Sequence, residues 1–201
     1  HLKIKHLIQL VITTNSETDI ILGSSIKQLE SFDLYGVLQD RDFLTVDAKL
    51  PSTLKNIALM DCIINNSDFF SPNTTLNKLT IVNVGHKSVD INPLLSHGTL
   101  EELTITEGSV EDIDFNKAKL AQLKDLNLSH TNICNIDFIS NLANIHEITV
   151  SSAELKSIPS IIPKSLTSLI VSGNKSLTEL PVNISSNIPD FNASHCSVVN
   201  I

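Results

Sequence analysis

A nine-residue pattern, LxxLxLxxN, returns along the chain with its first position at Leu7, Leu29, Leu54, Leu76, Leu100, Leu123, Ile145, Leu166 and Ile188, at intervals of 22, 25, 22, 24, 23, 22, 21 and 22 residues. So even a period over a whole chain points to one small structural unit stacked on copies of itself. The stretch LKDLNLSHTNICNIDFISNL, residues 123–142, shows why a unit is neither a helix nor a strand. Its apolar residues Leu123, Leu126, Leu128, Ile133, Ile136, Ile139 and Leu142 follow steps of 3, 2, 5, 3, 3 and 3.

Side chains alternate across a strand, so the LxL segment sends Leu126 and Leu128 inward and leaves Asp125, Asn127 and Ser129 facing outward. The later apolar residues line the turn and the return path. One unit cannot bury this lining alone, but a neighbour about 4.8 Å away pairs its strand and covers it. At about 1.5–3 kcal/mol per buried aliphatic side chain, five or six of them offset the ordering of a unit only when both neighbours are present. The expected fold is a curved solenoid with a parallel sheet on its concave face, a mostly irregular or 3-10 convex side and little helix.

The pattern and its period resemble the leucine-rich repeat family, and the resemblance runs over essentially the whole chain. Segments VDINPLL (Val89 to Leu95) and NICNIDFISNL (Asn132 to Leu142) resemble the short SDS22-like or internalin-like class, whereas LPSTLKNI and IPKSLTSL resemble units with a proline before the strand. The resemblance implies a right-handed horseshoe of α/β type in one domain of about nine repeats. The first and last units look incomplete, so residues 1–201 are expected to be a piece of a longer protein. In the family the ninth position is Asn or Cys, whose side chain bonds backbone groups at the turn. Here it holds Asn15, Val37, Cys62, Val84, Gly108, Thr131, Ala153, Asn174 and Cys196. Irregular loops are expected at residues 39–53 and, less markedly, at 85–99, where the two longest intervals fall.

Composition narrows the partners. A net charge of −8 argues against nucleic acid, whose backbone selects a basic face. No apolar run is long enough to span a bilayer. Three cysteines without a CxxC pair suggest neither a disulfide framework nor a zinc site, and the expected compartment is the reducing cytoplasm or nucleus. Six N-x-[ST] sequons, at Asn65, Asn73, Asn127, Asn174, Asn183 and Asn192, fit this reading as chance products of a chain rich in Asn, Ser and Thr, since Asn174 falls in the ladder position and Asn127 and Asn192 on the strand face.

Outward strand positions form columns across the sheet. At the seventh position Tyr35, Met60 and Val82 are successive neighbours, with Val11 and Ala58 beside them, an exposed apolar strip of the kind that marks an interaction site. At the third position Glu102, Asp125 and Glu147 occupy three adjacent strands, and a basic segment of a partner would relieve their repulsion. Nothing reads as catalytic. Cys62 and Cys196 fall in the ladder column and Cys134 just past it, all as structural residues; His130 and His195 are three units apart, about 14 Å, too far to share a metal. No phosphate loop, HExxH or GxSxG occurs.

The expected function is a non-enzymatic protein-interaction scaffold whose concave face binds a protein partner, with no cofactor, metal or small-molecule substrate. Two alternatives stand beside it: the substrate-recognition part of an F-box-type E3 ubiquitin ligase, and a secreted or surface adhesin or receptor of the repeat family.

Overall fold

A computed structural model describes residues 7–14, 28–36, 44–46, 51–64, 75–83, 91–182 and 184–199. Its elements, in chain order, are strands β1 (Gln9–Thr14), β2 (Ser31–Gly36), β3 (Leu44–Val46), β4 (Asn56–Met60), β5 (Cys62–Ile64) and β6 (Lys78–Val82), the single helical turn α1 (Asn92–Leu95), strands β7 (Glu102–Thr106) and β8 (Asp125–Asn127), a 3-10 turn (Asp137–Asn141), strands β9 (Glu147–Thr149) and β10 (Ser168–Ile170), the turn α2 (Ile184–Asn187) and strand β11 (Asp190–Asn192). Nine of the strands form one sheet in the order β1-β2-β4-β6-β7-β8-β9-β10-β11. All its pairings are parallel, and each joins identical repeat positions, as in Lys78↔Glu102↔Asp125↔Glu147. Each of these strands starts two residues after a first-position Leu or Ile. The molecule is therefore a parallel-strand solenoid with very little helix, shaped like a leucine-rich-repeat horseshoe.

The inward columns build the core. First-position Leu29, Leu54, Leu123 and Ile145, fourth-position Phe32, Leu79 and Leu169, and sixth-position Leu34, Leu59 and Leu128 are all fully shielded from water. Convex turns close the lining from below: α1 buries Leu94 and Leu95 behind Pro93, and the 3-10 turn buries Phe138 and Ile139. Proline at the first helical turn gives up an N–H that lacks an intrahelical partner in any case.

Backbone bonds repeat with the unit. Second-position carbonyls accept from the second and third N–H groups of the next unit, Ile8 from Glu30 (2.8 Å) and Ser31 (3.0 Å), and Lys124 from His146 (2.7 Å) and Glu147 (3.1 Å), except that Thr167 accepts from Asp190 (3.0 Å) alone because Pro189 has no N–H. At the eighth position the chain leaves the sheet through left-handed backbone, with φ of 52° at Asp61, 47° at Asn83, 57° at Glu107 and His130, 51° at Ser152, 75° at Gly173 and 60° at His195. Asp, Asn, His and Gly tolerate this region best, and they fill five of these seven places. The conformation aims the eighth N–H at the seventh carbonyl of the next unit, as from Asp61 to Val82 (3.0 Å) and from Gly173 to Ser194 (2.8 Å).

The ladder position works where its residue has the right side chain. Asn174, fully buried, donates to the carbonyls of Val150 (2.6 Å) and Val171 (2.8 Å) and accepts from the N–H groups of Ala153 (3.2 Å) and Leu155 (3.1 Å). Thr131 donates to Leu128 O (2.7 Å), and the Cys196 thiol donates to Val171 O (3.1 Å), so Cys196 is structural as its column implies. Gly108 has nothing to offer, and Asn132 of the next unit takes over, accepting from Val110 N–H at 2.9 Å. Asn15, Val37 and Val84 lie outside the described residues, as do most of the loop expected at residues 39–53 and residues 85–90 of the second. Within the first loop β3 pairs in parallel with β5, so a short second sheet occupies part of that irregular stretch.

Two expectations need correction. Ser129 does not face solvent; it is buried, because its N–H binds Asn127 Oδ1 (3.0 Å) and its hydroxyl accepts from Ser151 N–H (3.1 Å), which folds the side chain onto the neighbouring turn. Cys134 is exposed rather than built into the interior, because it follows the buried Ile133 and points the other way.

Candidate functional site

The exposed face of the nine-stranded sheet carries the predicted interaction residues, and strand register decides which of them meet. Thr13, Tyr35, Met60, Val82 and Thr106 are paired in succession across β1, β2, β4, β6 and β7. Tyr35, Met60 and Val82 are thus contiguous, each half-buried, and Val11, one step back on the edge strand, is 52% exposed. The strip exists as an unbroken patch. Its extended backbone is favoured by the β-branched and aromatic residues Thr13, Tyr35, Val82 and Thr106 at this position.

Glu102, Asp125 and Glu147 are likewise in register on β7, β8 and β9. They are not equivalent. Lys78, the next residue of the same column, forms an ion pair with Glu102 across β6 and β7. Among the described residues Asp125 and Glu147 have no ion-pair partner. Beyond them Ser168 donates to Asp190 Oδ2 at 2.7 Å, which extends the acidic column to the last strand. In the adjoining second-position column Lys124 binds Glu101 Oε2 at 2.7 Å. That bond, with Asp125 and Glu102 adding their charges, holds the Lys124 ammonium above the usual lysine range. Sequence reasoning grouped Glu102 with Asp125 and Glu147 and did not pair it with Lys78, its neighbour in the same column; Lys124 neutralises Glu101 in the column beside it. The free anionic zone is Asp125 and Glu147.

The arrangement offers shape, apolar contact and negative charge. Among the described residues no group of three or more His, Cys, Asp or Glu is placed to hold a metal ion, and no helix is long and apolar enough to cross a membrane. His130 and His195 occupy equivalent eighth positions on units three apart, as the period requires.

No protein-family model matches the chain, and no curated protein matches its sequence. Solved structures do resemble it. An internalin from Listeria monocytogenes superposes with a TM-score of 0.60 at 15% sequence identity, over 97% of this chain. This chain spans 63% of that one, less than two thirds of its length. At such identity the likeness speaks to architecture, and together with the in-register parallel sheet and the buried repeat columns it establishes that the chain has a leucine-rich-repeat type of fold.

Proposed function

We propose that this chain is a non-catalytic interaction module that binds a protein partner on the exposed sheet face. The observation that carries the reading is register: nine parallel strands bring Tyr35, Met60 and Val82 into one apolar patch and, two and three strands beyond Val82 on the same face, hold Asp125 and Glu147, which have no ion-pair partner among the described residues. A partner that rests apolar side chains on the first zone and a Lys- or Arg-bearing segment on the second satisfies both. Glu102 belongs to the second zone as its edge, already engaged by Lys78. Rigidity favours binding, because a preformed sheet loses little freedom when it is covered.

The module acts inside the cell in this reading. Support comes from Cys134 and Cys196, both free thiols, and from Asn174, a sequon asparagine with all its polar atoms engaged in the interior.

Parallel affinity capture tests the proposal. Wild-type chain, a Tyr35→Ser/Met60→Ser/Val82→Ser variant and a Glu102→Lys/Asp125→Lys/Glu147→Lys variant are compared over a range of salt. Partners retained by the wild type should be lost from the first variant, and the second should lose the salt-sensitive part of binding. Identical captures by all three, with the same salt response, reject the sheet face as the binding surface.

A further inference from the structure

A second recognition surface lies off the sheet, on the flank where the units beginning at Leu100 and Leu123 descend from their strands. Residues 110–116 and 132–138 enclose a groove of about 610 Å³. Its floor is apolar. Phe115 and Phe138 stack with ring centroids 4.5 Å apart and planes 11° from parallel, and Val110, Ile113 and Ile133 complete the surface. Phe138, Val110 and Ile133 are buried, while Phe115 and Ile113 remain half-exposed to the opening. Repeat geometry accounts for the feature: the two phenylalanines hold the same position in successive units, so stacking of the solenoid stacks their rings.

The rim is acidic. Glu111 and Asp137 are exposed and have no cation partner among the described residues, whereas Asp114 is paired with Lys117 at 2.7 Å. Asp137 is held in place by Asn135, which donates to it at 2.8 Å. An apolar floor between two free carboxylates is complementary to one kind of occupant. We propose that this groove receives an extended protein segment in which an aromatic or large aliphatic residue, seated against Phe115, is flanked by Lys or Arg reaching Glu111 and Asp137. Long basic side chains suit the rim, since their stems cover apolar surface while their heads meet the carboxylates. The groove is separate from the sheet face, and its occupancy does not depend on the function proposed for that face.

The chain contains no tryptophan, so a tryptophan-bearing peptide reports its own burial. An acetylated, amidated peptide Lys-Arg-Trp-Arg-Lys is titrated with the full chain and its emission followed, beside a control peptide Glu-Asp-Trp-Asp-Glu. Saturable blue-shifted emission is expected with the basic peptide and none with the acidic one. Glu111→Lys/Asp137→Lys, two exposed positions, should weaken binding about tenfold or more and remove most of its salt dependence. Cys134→Arg, another exposed position on the groove wall, should weaken it to a similar degree without disturbing the fold. The inference fails if the basic peptide gives no shift, if the acidic peptide binds equally, or if both variants bind like the wild type. It also fails if binding is lost in the Glu102→Lys/Asp125→Lys/Glu147→Lys variant while the groove variants keep it, which would place the peptide on the sheet face.

Discussion

The two halves of the sheet are built on one period yet use their strands differently. In the nine-stranded sheet β1, β2, β4, β6 and β7 are five or six residues long, whereas β8 to β11 are three. The seventh position changes at the same boundary, from Thr13, Tyr35, Met60, Val82 and Thr106 to Ser129, Ser151, Ser172 and Ser194. Branched and large side chains favour continued extension, whereas serine offers the backbone a competing partner. The competition is visible: Ser129 Oγ accepts from Ser151 N–H, Ser151 and Ser172 hydroxyls meet at 3.1 Å, and Asn127 and Asn192 accept from the N–H two residues on. At the seventh N–H of Ser129, Ser151 and Ser194 the C-terminal units exchange backbone pairing for a side-chain acceptor, while the sixth and eighth N–H groups still reach the next unit, and Asn174 anchors the neighbouring turns from within. Strand length in this solenoid is a choice made by one outward column, while the inward columns stay the same throughout.

If the C-terminal turns depend on side chains, removing their anchor has the largest effect. Asn174→Leu orphans the Val150 carbonyl and two N–H groups in the interior, those of Ala153 and Leu155, and leaves Val171 O with the Cys196 thiol as donor. At about 1–3 kcal/mol for each buried group left unsatisfied, with some relaxation, the loss is about 4 kcal/mol, read from the urea midpoint. A loss under about 1 kcal/mol would show that the backbone alone sets these turns. Asn132→Ala sharpens the same point one step down. It removes the single acceptor that serves Val110 N–H where Gly108 supplies none, and about 2 kcal/mol is expected. Equal costs at the two sites would mean that a borrowed ladder residue is as good as a resident one.

The nine strand positions were legible because period-two alternation and a 21–25 residue repeat leave one register that buries every Leu and Ile column. The apolar strip and acidic column followed from that register, as did the ladder role of Asn174. The two lysine pairs, Lys78 with Glu102 and Lys124 with Glu101, each lie within one column on successive units, and like-charge neighbours drew the reading away from them; side-chain reach, which decides that these groups meet, is not part of a positional pattern. Ser129 was misplaced for a related reason: alternation assigns a face, and a short polar side chain at a strand end is free to bond its neighbour's backbone instead. One available signal went unread. The eighth column, Asp61, Asn83, Glu107, His130, Ser152, Gly173 and His195, is rich in residues that accept left-handed backbone, and it marks the exit from every strand of the nine-stranded sheet from β4 onward.

Exchanging the outward column tests the comparison itself. Ser129→Val removes the acceptor for Ser151 N–H and adds a branched side chain that favours extension. The two effects oppose each other, so a net destabilisation of about 1 kcal/mol or less is expected. The sharper readout is amide hydrogen exchange. The residue 129 amide, which now binds the Asn127 side chain, should gain protection as β8 lengthens toward the five residues of β7. Unchanged protection would assign the short strands to the turns that follow them and not to serine.

The smallest effect sits on the boundary between long and short strands, where Lys124 of the β8 unit binds Glu101 of the β7 unit. Because the folded protein raises the Lys124 ammonium above its ordinary range, its contribution is complete below the unfolded value of about 10.4 and is lost as pH rises through the higher folded value. Asp114 behaves in the opposite sense. Its bond from Lys117 is the main influence and outweighs the opposing effect of burial, so its carboxyl is held below the usual range. That contribution is present above the unfolded value of about 3.9 and is lost as pH falls through the folded one. Both pairs are solvent-exposed, so each is a minor stabiliser. Glu101→Gln should therefore melt slightly below the wild type at neutral pH, and the two curves should converge as alkaline titration discharges Lys124. The acid limb of the profile, where Asp114 acts, should remain nearly the same in both proteins. A gap that persists undiminished beyond the lysine titration would mean that the Glu101 side chain works through packing and not through its charge.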